Sequence, residues 1–119
     1  MDYRSYLDFT AHDAKNKLEA DVLLTNQSLP IMVDNSTRLD NLSIQGEGIS
    51  YNYTLVNTAV ENLDASKFES AMMPNIKSGA CSTKEARALL DGDASISYAY
   101  HDKSGKLIST IVINKKDCL

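Results

Sequence analysis

The sequence contains no tryptophan, only two prolines and five glycines, and no apolar run of the roughly 18 residues that a membrane helix needs. We therefore expect no transmembrane span. Hydrophobic residues make up 43% of the chain and charged residues 24%, a composition that excludes disordered and collagen-like chains. A net charge of −4 opposes binding to phosphates, so nucleic acid is not an expected partner.

Motifs of the common catalytic and cofactor sites are missing as well. The sequence holds no P-loop, no G-x-G-x-x-G, no G-x-S-x-G and no H-E-x-x-H. The only histidines, His12 and His101, are predicted to be solvated surface residues, which leaves a nucleophile without a base. Neither Cys81 nor Cys118 has a CxxC partner or a neighbouring histidine, so a metal site is not expected. We expect no cofactor, no metal and no enzymatic activity.

Two cysteines fit a disulfide, a redox pair or two separate buried thiols. The redox reading is weak because neither Cys81 nor Cys118 has CxxC geometry. Cys118 is the penultimate residue, and a bridge to Cys81 would pin a chain end that otherwise frays. We therefore favour the disulfide, with free buried thiols as the alternative.

The start of the chain bears on the compartment. Residues 1–4 contain neither the basic nor the apolar region of a signal peptide, which fits a cytoplasmic protein or an exported one whose signal peptide is not included. Because a stable disulfide requires an oxidising compartment, we expect a periplasmic or secreted protein, with a cytoplasmic one as the alternative.

A chain of 119 residues has room for one domain, which we place at residues 1–119. Apolar residues at helical spacing predict a helix over 3–20, followed by a loop. Alternation predicts strands at 38–45 and 49–55, joined by a turn at Gly46-Glu47-Gly48. Together they form a first hairpin.

The second half predicts two helices and another hairpin. Asp64 is a good N-cap for a helix that should kink or end near Met73, before Pro74. A capping box that starts at Ser82 predicts a third helix, which Gly92 terminates.

Two strands, 96–101 and 107–113, close the chain around a turn at 102–105. The last strand is apolar at nearly every position, so we expect it to be central or covered on both faces.

These elements predict an α+β fold. The expected order is α-β-β-α-α-β-β, with two β-hairpins that form a mostly antiparallel four-stranded sheet and about three helices packed on one face.

Four tyrosines alternate with small or polar residues on two of the predicted strands: Tyr51, Tyr53, Tyr98 and Tyr100. Their matching alternation predicts that both strands belong to one sheet. Packing within that sheet is the ordinary reading of such a cluster. The functional reading is a surface for a partner protein, since tyrosine combines an apolar body with a polar tip.

Two carboxylates flank an arginine in the loop that leads into the first hairpin. Arg38 is expected to pair with Asp34 or Asp40 and thereby to fix this entry. The alternative is a pair of buried carboxylates, Asp34 and Asp40, that performs acid–base catalysis in a small hydrolase.

Several short motifs lie between residues 29 and 118: Leu29-Pro30-Ile31-Met32-Val33-Asp34, Thr37-Arg38-Leu39-Asp40, Tyr51-Asn52-Tyr53-Thr54-Leu55, Cys81, Tyr98-Ala99-Tyr100, Asp102 with Gly105, and Cys118. Together they resemble a group of small exported bacterial proteins, described as hypothetical proteins or lipoproteins, and are similar to the putative quorum-sensing-regulated virulence factor family. The resemblance implies export, a signal peptide in the full gene and a disulfide between Cys81 and Cys118. It supplies no catalytic residues.

The first functional hypothesis is a non-enzymatic exported module that binds another protein. The second is a pilotin-like accessory lipoprotein of a secretion system, which would carry a lipid anchor in its full-length form. The third is the small hydrolase.

Overall fold

The computed structural model describes residues 9–46 and 48–119, with side chains from residue 17 onward. The predicted helix start at residues 3–8, the side chain of His12 and the turn residue Glu47 lie outside the described residues. The helices are α1 (Phe9–Asn26), α2 (Ala65–Ser82) and α3 (Lys84–Asp91). The strands are β1 (Ile31–Met32), β2 (Thr37–Gln45), β3 (Gly48–Leu55), β4 (Ile96–His101) and β5 (Leu107–Ile113). Short 3₁₀ turns occupy Val60–Asn62 and Lys115–Cys118.

The α+β class is right, but the predicted four-stranded antiparallel sheet is wrong. The described strands form one five-stranded sheet in the order β1-β2-β3-β4-β5. The hairpins β2–β3 and β4–β5 are antiparallel as expected, whereas β3 and β4, which join them, run parallel. The chain order is therefore α-β-β-β-α-α-β-β.

The parallel pair follows from the long connection between the hairpins. Parallel neighbours require a crossover of a dozen or more residues, which is usually helical. Here α2 and α3 supply that crossover and return the chain to the starting end of β3. The period-2 pattern of a strand does not reveal whether its neighbour is parallel, so the alternation in the sequence left this undecided.

The two outer strands also differ from expectation. The sequence predicts a loop before residue 38, whereas Ile31–Met32 pair with β2 as a short strand. Two residues that follow a proline are too few to show the alternation of a strand. β5 was expected to be central or covered on both faces, yet it is an edge strand with β4 as its neighbour in the sheet. Its side chains alternate between buried and exposed, and Leu107 and Val112 are 56% and 47% exposed.

Helix α2 passes through Pro74 and continues to Ser82, so the predicted end near Met73 is wrong. The turns after the proline bury Ile76 and Ala80 in the core, and this packing compensates for the hydrogen bond that proline cannot donate. The predicted capping box at Ser82 is also absent: Thr83 is the N-cap of α3, and its hydroxyl donates back to the Gly79 carbonyl at 2.7 Å.

All three helices pack on one face of the sheet. They contribute their buried apolar residues to a single cluster with the inward side chains of the strands: Val22, Ile76, Ala80, Ala86, Leu90, Leu42, Ile49, Ile96, Ile111 and Ile113. α1 lies against β2, α2 against β5 and α3 against β4. The first helix therefore covers the β2 side of this face, and the other two cover the β4 and β5 side.

Cys81 and Cys118 form a disulfide across a sequence separation of 37. Cys81 lies in the last turn of α2, and Cys118 ends the 3₁₀ turn that follows β5. The 3₁₀ turn is itself closed by Asn114 and Asp117, each of which accepts a backbone N–H at the start of the turn. The bridge therefore ties the end of the chain to the helix that covers β5.

Asp102 anchors the turn between β4 and β5 to the connection after β3. Its side chain is 1% exposed, and its two carboxylate oxygens accept backbone N–H groups from Val60, Ser104 and Lys106 at 2.8–2.9 Å. The N–H of Val60 is the main cause that lowers the pKa of Asp102 below its ordinary value of 3.8. A buried carboxylate is stable here because three donors replace the lost water.

Gly48 permits the closest approach of the two hairpins. A Cβ atom at this position would lie 2.0 Å from the backbone oxygen of Ser95, which accepts the N–H of Ile49 at 3.2 Å. Gly79 in α2 is different, since a Cβ atom there would meet nothing within 4 Å.

Replacing these two glycines by alanine should change stability in opposite directions. Gly48→Ala should lower the free energy of unfolding by about 1–3 kcal/mol, because the methyl group displaces backbone rather than a movable side chain. Gly79→Ala should raise it by about 0.5–1 kcal/mol, because alanine loses less entropy in a helix. Urea unfolding of both variants measures the difference, and two changes of the same sign would contradict the geometry.

Removing the disulfide should destabilise the protein strongly. Replacing Cys81 and Cys118 by serine opens a loop whose closure contributes about 4 kcal/mol. At roughly 4–8 °C per kcal/mol, the midpoint of thermal unfolding should fall by more than about 10 °C. Reductant should lower the midpoint of the native protein similarly and leave that of the double variant unchanged. An equal effect of reductant on both proteins would argue against the bridge.

Asp102→Asn should make the free energy of unfolding depend less on pH in the acidic range. A carboxyl whose pKa is lower in the folded state stabilises the fold above its unfolded pKa of about 3.9, and this contribution is lost as the pH falls toward the folded pKa. The variant should be less stable at pH 7 and lose less stability on acidification, because its amide cannot satisfy all three donors. Asp21→Asn, at an exposed position on α1, is the matched control. If the free energy of unfolding of Asp102→Asn and of the native protein changed equally with pH, this stabilising role of Asp102 would be refuted.

Candidate protein-binding surface

The parallel register of β3 and β4 brings the four predicted tyrosines together. Tyr51 lies opposite Tyr98, and Tyr53 lies opposite Tyr100. Because side chains two positions apart point to the same side of a sheet, all four rings lie on the face that the helices cover. We refer to these four residues as the tyrosine ladder.

The rings of the tyrosine ladder stack across the strands. The ring centroids of Tyr51 and Tyr98 are 5.4 Å apart with an interplanar angle of 9°. Those of Tyr53 and Tyr100 are 4.8 Å apart at 11°. Stacked aromatic pairs at such distances contribute about 0.5–1.5 kcal/mol beyond their area burial, so the ladder also stabilises the junction between the two hairpins.

Phe68 of α2 supports one end of the ladder. Its ring meets that of Tyr100 edge to face, at 5.1 Å and 72°. The strand that Phe68 meets depends on the crossover, which the sequence pattern does not specify. Tyr100 is accordingly 4% exposed, whereas Tyr51, Tyr53 and Tyr98 are only half-buried.

The phenol groups are held in their neutral form. Burial raises the pKa of Tyr53 and Tyr98 far above the ordinary value of 10.0, and neighbouring tyrosines add to the shift. Burial and Tyr98 together raise the pKa of Tyr100 to about 12. The ladder therefore offers apolar ring surface and uncharged hydroxyls, which suits recognition of another protein better than proton transfer.

On β2 and β3 the opposite face of the sheet is polar. Asn52 donates to Asn41 at 2.8 Å and to Ser43 at 3.3 Å, and the Ser50 hydroxyl donates to Asn52 at 3.2 Å. These side chains bond one another across β2 and β3. This face thus presents a saturated polar network in place of aromatic rings.

Of the two predicted partners of Arg38, Asp40 forms the ion pair. Arg38 donates to Asp40, and the Thr54 hydroxyl donates to the other oxygen of the same carboxylate. Asp40 lies at the register shift between Leu39 and Asn41, so the three side chains brace a β-bulge. They thereby fix the register at the start of the first hairpin.

Asp34 lies apart from this pair in an exposed turn. Its carboxylate accepts the backbone N–H of Ser36 at 2.8 Å, and this bond lowers its pKa. Asp34 and Asp40 therefore have different partners, and they do not form the buried carboxylate pair that the hydrolase hypothesis requires.

His101 is half-buried at the end of β4, and its Nδ1 lies 3.2 Å from the carbonyl oxygen of Tyr53. In the part of the chain whose side chains are described, no three histidine, cysteine or acidic residues are grouped as metal ligands would be. Within the same part, no helix is long and apolar enough to cross a membrane.

Sequence comparisons find no family model and no curated protein that matches this chain. Solved structures with the same fold do exist. A putative secreted protein from Pseudomonas aeruginosa matches with a TM-score of 0.75 at 15% identity, over 91% of this chain and 95% of its own.

Two further matches are pilotins of type II secretion systems. The Vibrio vulnificus pilotin EpsS has a TM-score of 0.72 at 13% identity, over 91% of this chain and 94% of its own. The Vibrio cholerae pilotin AspS has a TM-score of 0.67 at 16% identity, over 90% and 94%. The chain therefore has the fold found in a small secreted protein and in two secretion pilotins.

Proposed function

We propose that this protein is a non-enzymatic module of the periplasm or the secreted space that binds another protein through the tyrosine ladder. The half-buried, stacked ladder is the observation that carries the proposal. It presents ring surface on Tyr51, Tyr53 and Tyr98 between α1 on one side and α2 and α3 on the other. Tyrosine is enriched among the residues that dominate binding energy at protein interfaces.

The disulfide supports the compartment. A bridge between Cys81 and Cys118 persists in oxidising spaces, and reducing cytosol would open it. A signal peptide encoded upstream of Met1 is the corresponding prediction for the full gene.

The two pilotin structures favour a more specific role as a second candidate. A chain that shares their fold over about nine-tenths of its length is suited to act as an accessory factor of a type II secretion system. Since one fold hosts many functions, this role depends on the surface and on its partner rather than on the fold itself. A lipid anchor would accompany it if a cysteine follows the signal peptide in the full gene.

Cross-linking from the tyrosine ladder tests the binding proposal. A photoreactive phenylalanine analogue in place of Tyr51 should capture a specific envelope protein in living cells. The same analogue in place of Asn41, on the opposite face of the sheet, is the matched control. Capture of the same protein with equal yield from both positions would contradict the proposed surface.

Affinity for the captured protein should depend on the rings. Replacing Tyr51 and Tyr98 together by serine should weaken binding roughly tenfold or more, which equals about 1.4 kcal/mol. Replacing both by phenylalanine keeps the stacked rings and should change affinity less. Titration calorimetry on variants whose circular dichroism is native measures both effects, and unchanged affinity of the serine variant would refute the role of the ladder.

The pilotin role has its own readout. Deleting the gene from a strain that carries a type II secretion system should reduce secretion of the substrates of that system. The native gene should restore secretion, and the serine variant of the ladder should not. Normal secretion in the deletion strain would leave the general binding module and exclude this second candidate.

A further inference from the structure

The two edges of the sheet differ in how far their outer backbone N–H and C=O groups are blocked. An edge strand presents unpaired N–H and C=O groups, which can pair with a strand of another chain unless something blocks them. One edge is formed by β1, whose two residues pair with Leu39 and Arg38 of β2. A strand this short, preceded by Pro30, offers little for a further strand.

Asn26 blocks the continuation of that edge along β2. Its side-chain amide donates to the Leu42 carbonyl at 2.9 Å, and its side-chain oxygen accepts the Leu42 N–H at 2.7 Å. The last residue of α1 thus makes the two hydrogen bonds that a neighbouring strand would make at Leu42.

The other edge, β5, has no such protection among the described residues. No hydrogen bond reaches the backbone of Leu107–Ile113 from any described element other than β4. The strand has seven residues and contains no charged residue, proline or glycine, which are common means of blunting an edge. An irregularity at Ile108 interrupts its pairing with β4, so the regular outer edge runs from Ser109 to Ile113.

The side chains of β5 are suited to a second strand. Leu107, Thr110 and Val112 are exposed, while Ser109 and Ile111 point toward α2 and the core. An added strand would cover the exposed apolar positions and would extend the sheet beyond α2. Main-chain bonds would then give affinity, and alternate side chains would give specificity.

Lysines flank this edge at both ends. Lys103 and Lys106 precede β5, Lys115 and Lys116 follow it, and all four are exposed. Lys106 forms an exposed ion pair with Glu61 at 2.9 Å. Lys103, Lys115 and Lys116 make no ion pair with a described side chain, so acidic residues of a segment beside this edge can pair with them.

The same lysines disfavour a second copy of this chain. A twofold axis pairs identical strands antiparallel. Pairing centred on Thr110 would place Lys106 of one copy beside Asn114 and Lys115 of the other, at both ends of the interface. Like charges brought together in this way oppose association.

We propose that the free edge of β5 binds an extended segment of a partner protein by strand addition, and that this segment alternates apolar and small polar residues between acidic flanks. The proposal goes beyond the function proposed above, because it uses neither the tyrosine ladder nor the helix-covered face. An adaptor with both surfaces would contact its partners along an edge as well as across a face.

A synthetic peptide tests the edge directly. The probe alternates valine and threonine and carries a pair of glutamates at each end. Hydrogen exchange measured by NMR on the full chain should show that alternate amides of β5 become roughly tenfold or more protected when the peptide is bound. Affinity should fall as salt is added, because exposed charges are screened.

Three controls distinguish strand addition from other binding. A peptide N-methylated at alternate residues lacks the donors along one edge and should not bind. Lys115→Glu combined with Lys116→Glu should weaken binding by about tenfold through repulsion of the acidic flank. Lys17→Glu on α1, which lies against the opposite end of the sheet, should leave affinity unchanged.

Several results would overturn the proposal. They are no binding at millimolar peptide, equal binding of the N-methylated peptide, and binding without protection of β5 amides. A concentration-dependent dimer whose β5 amides are protected without peptide would assign the edge to a second copy instead. Loss of peptide binding in the ladder variant alone would move the site to the tyrosines, so failure here is distinguishable from failure of the proposed function.

Discussion

The parallel pairing of β3 with β4 is the constraint on which the rest of the structure depends. It joins two antiparallel hairpins into one sheet, and it requires the chain to cross over through α2 and α3. Its register sets Ile49 against Ile96 and Tyr51 against Tyr98, which fills the core and stacks the tyrosine ladder at once. This pairing also requires glycine at position 48, because a side chain there would collide with the backbone of Ser95.

Other interactions fix the segments around this parallel pair. The disulfide fastens the end of the chain to α2, and Asp102 fastens the turn of the second hairpin to the segment that follows β3. Asn26 and β1 close one edge of the sheet. The opposite edge and the tyrosine ladder are the two surfaces that we propose for partner proteins.

The sequence predicted which residues form the candidate site, but not all of their contacts. The equal alternation around Tyr51 and Tyr98 predicted one sheet, because residues two apart share a face in any strand. Their stacking was not predictable, since a shift of one residue in register would have separated the rings. The Asp–Arg–Asp spacing likewise named an ion pair, but only the bulge at Asp40 decided that Arg38 meets Asp40 and that Asp34 turns away.

The sequence by itself determined the α+β class, most of the elements and both hairpins, because these depend on local periodicity and turn residues. It favoured a disulfide between its two cysteines over free thiols, and the structure contains that bridge. Only the tertiary structure decided the direction of β4, the strand status of Ile31–Met32 and the edge position of β5. The run Leu107–Ile113 reads the same for a central and an edge strand, because its own residues do not specify what lies beside it. Contacts between residues far apart in the chain settle these questions, and a periodic pattern records only that a face is buried, not which neighbour buries it.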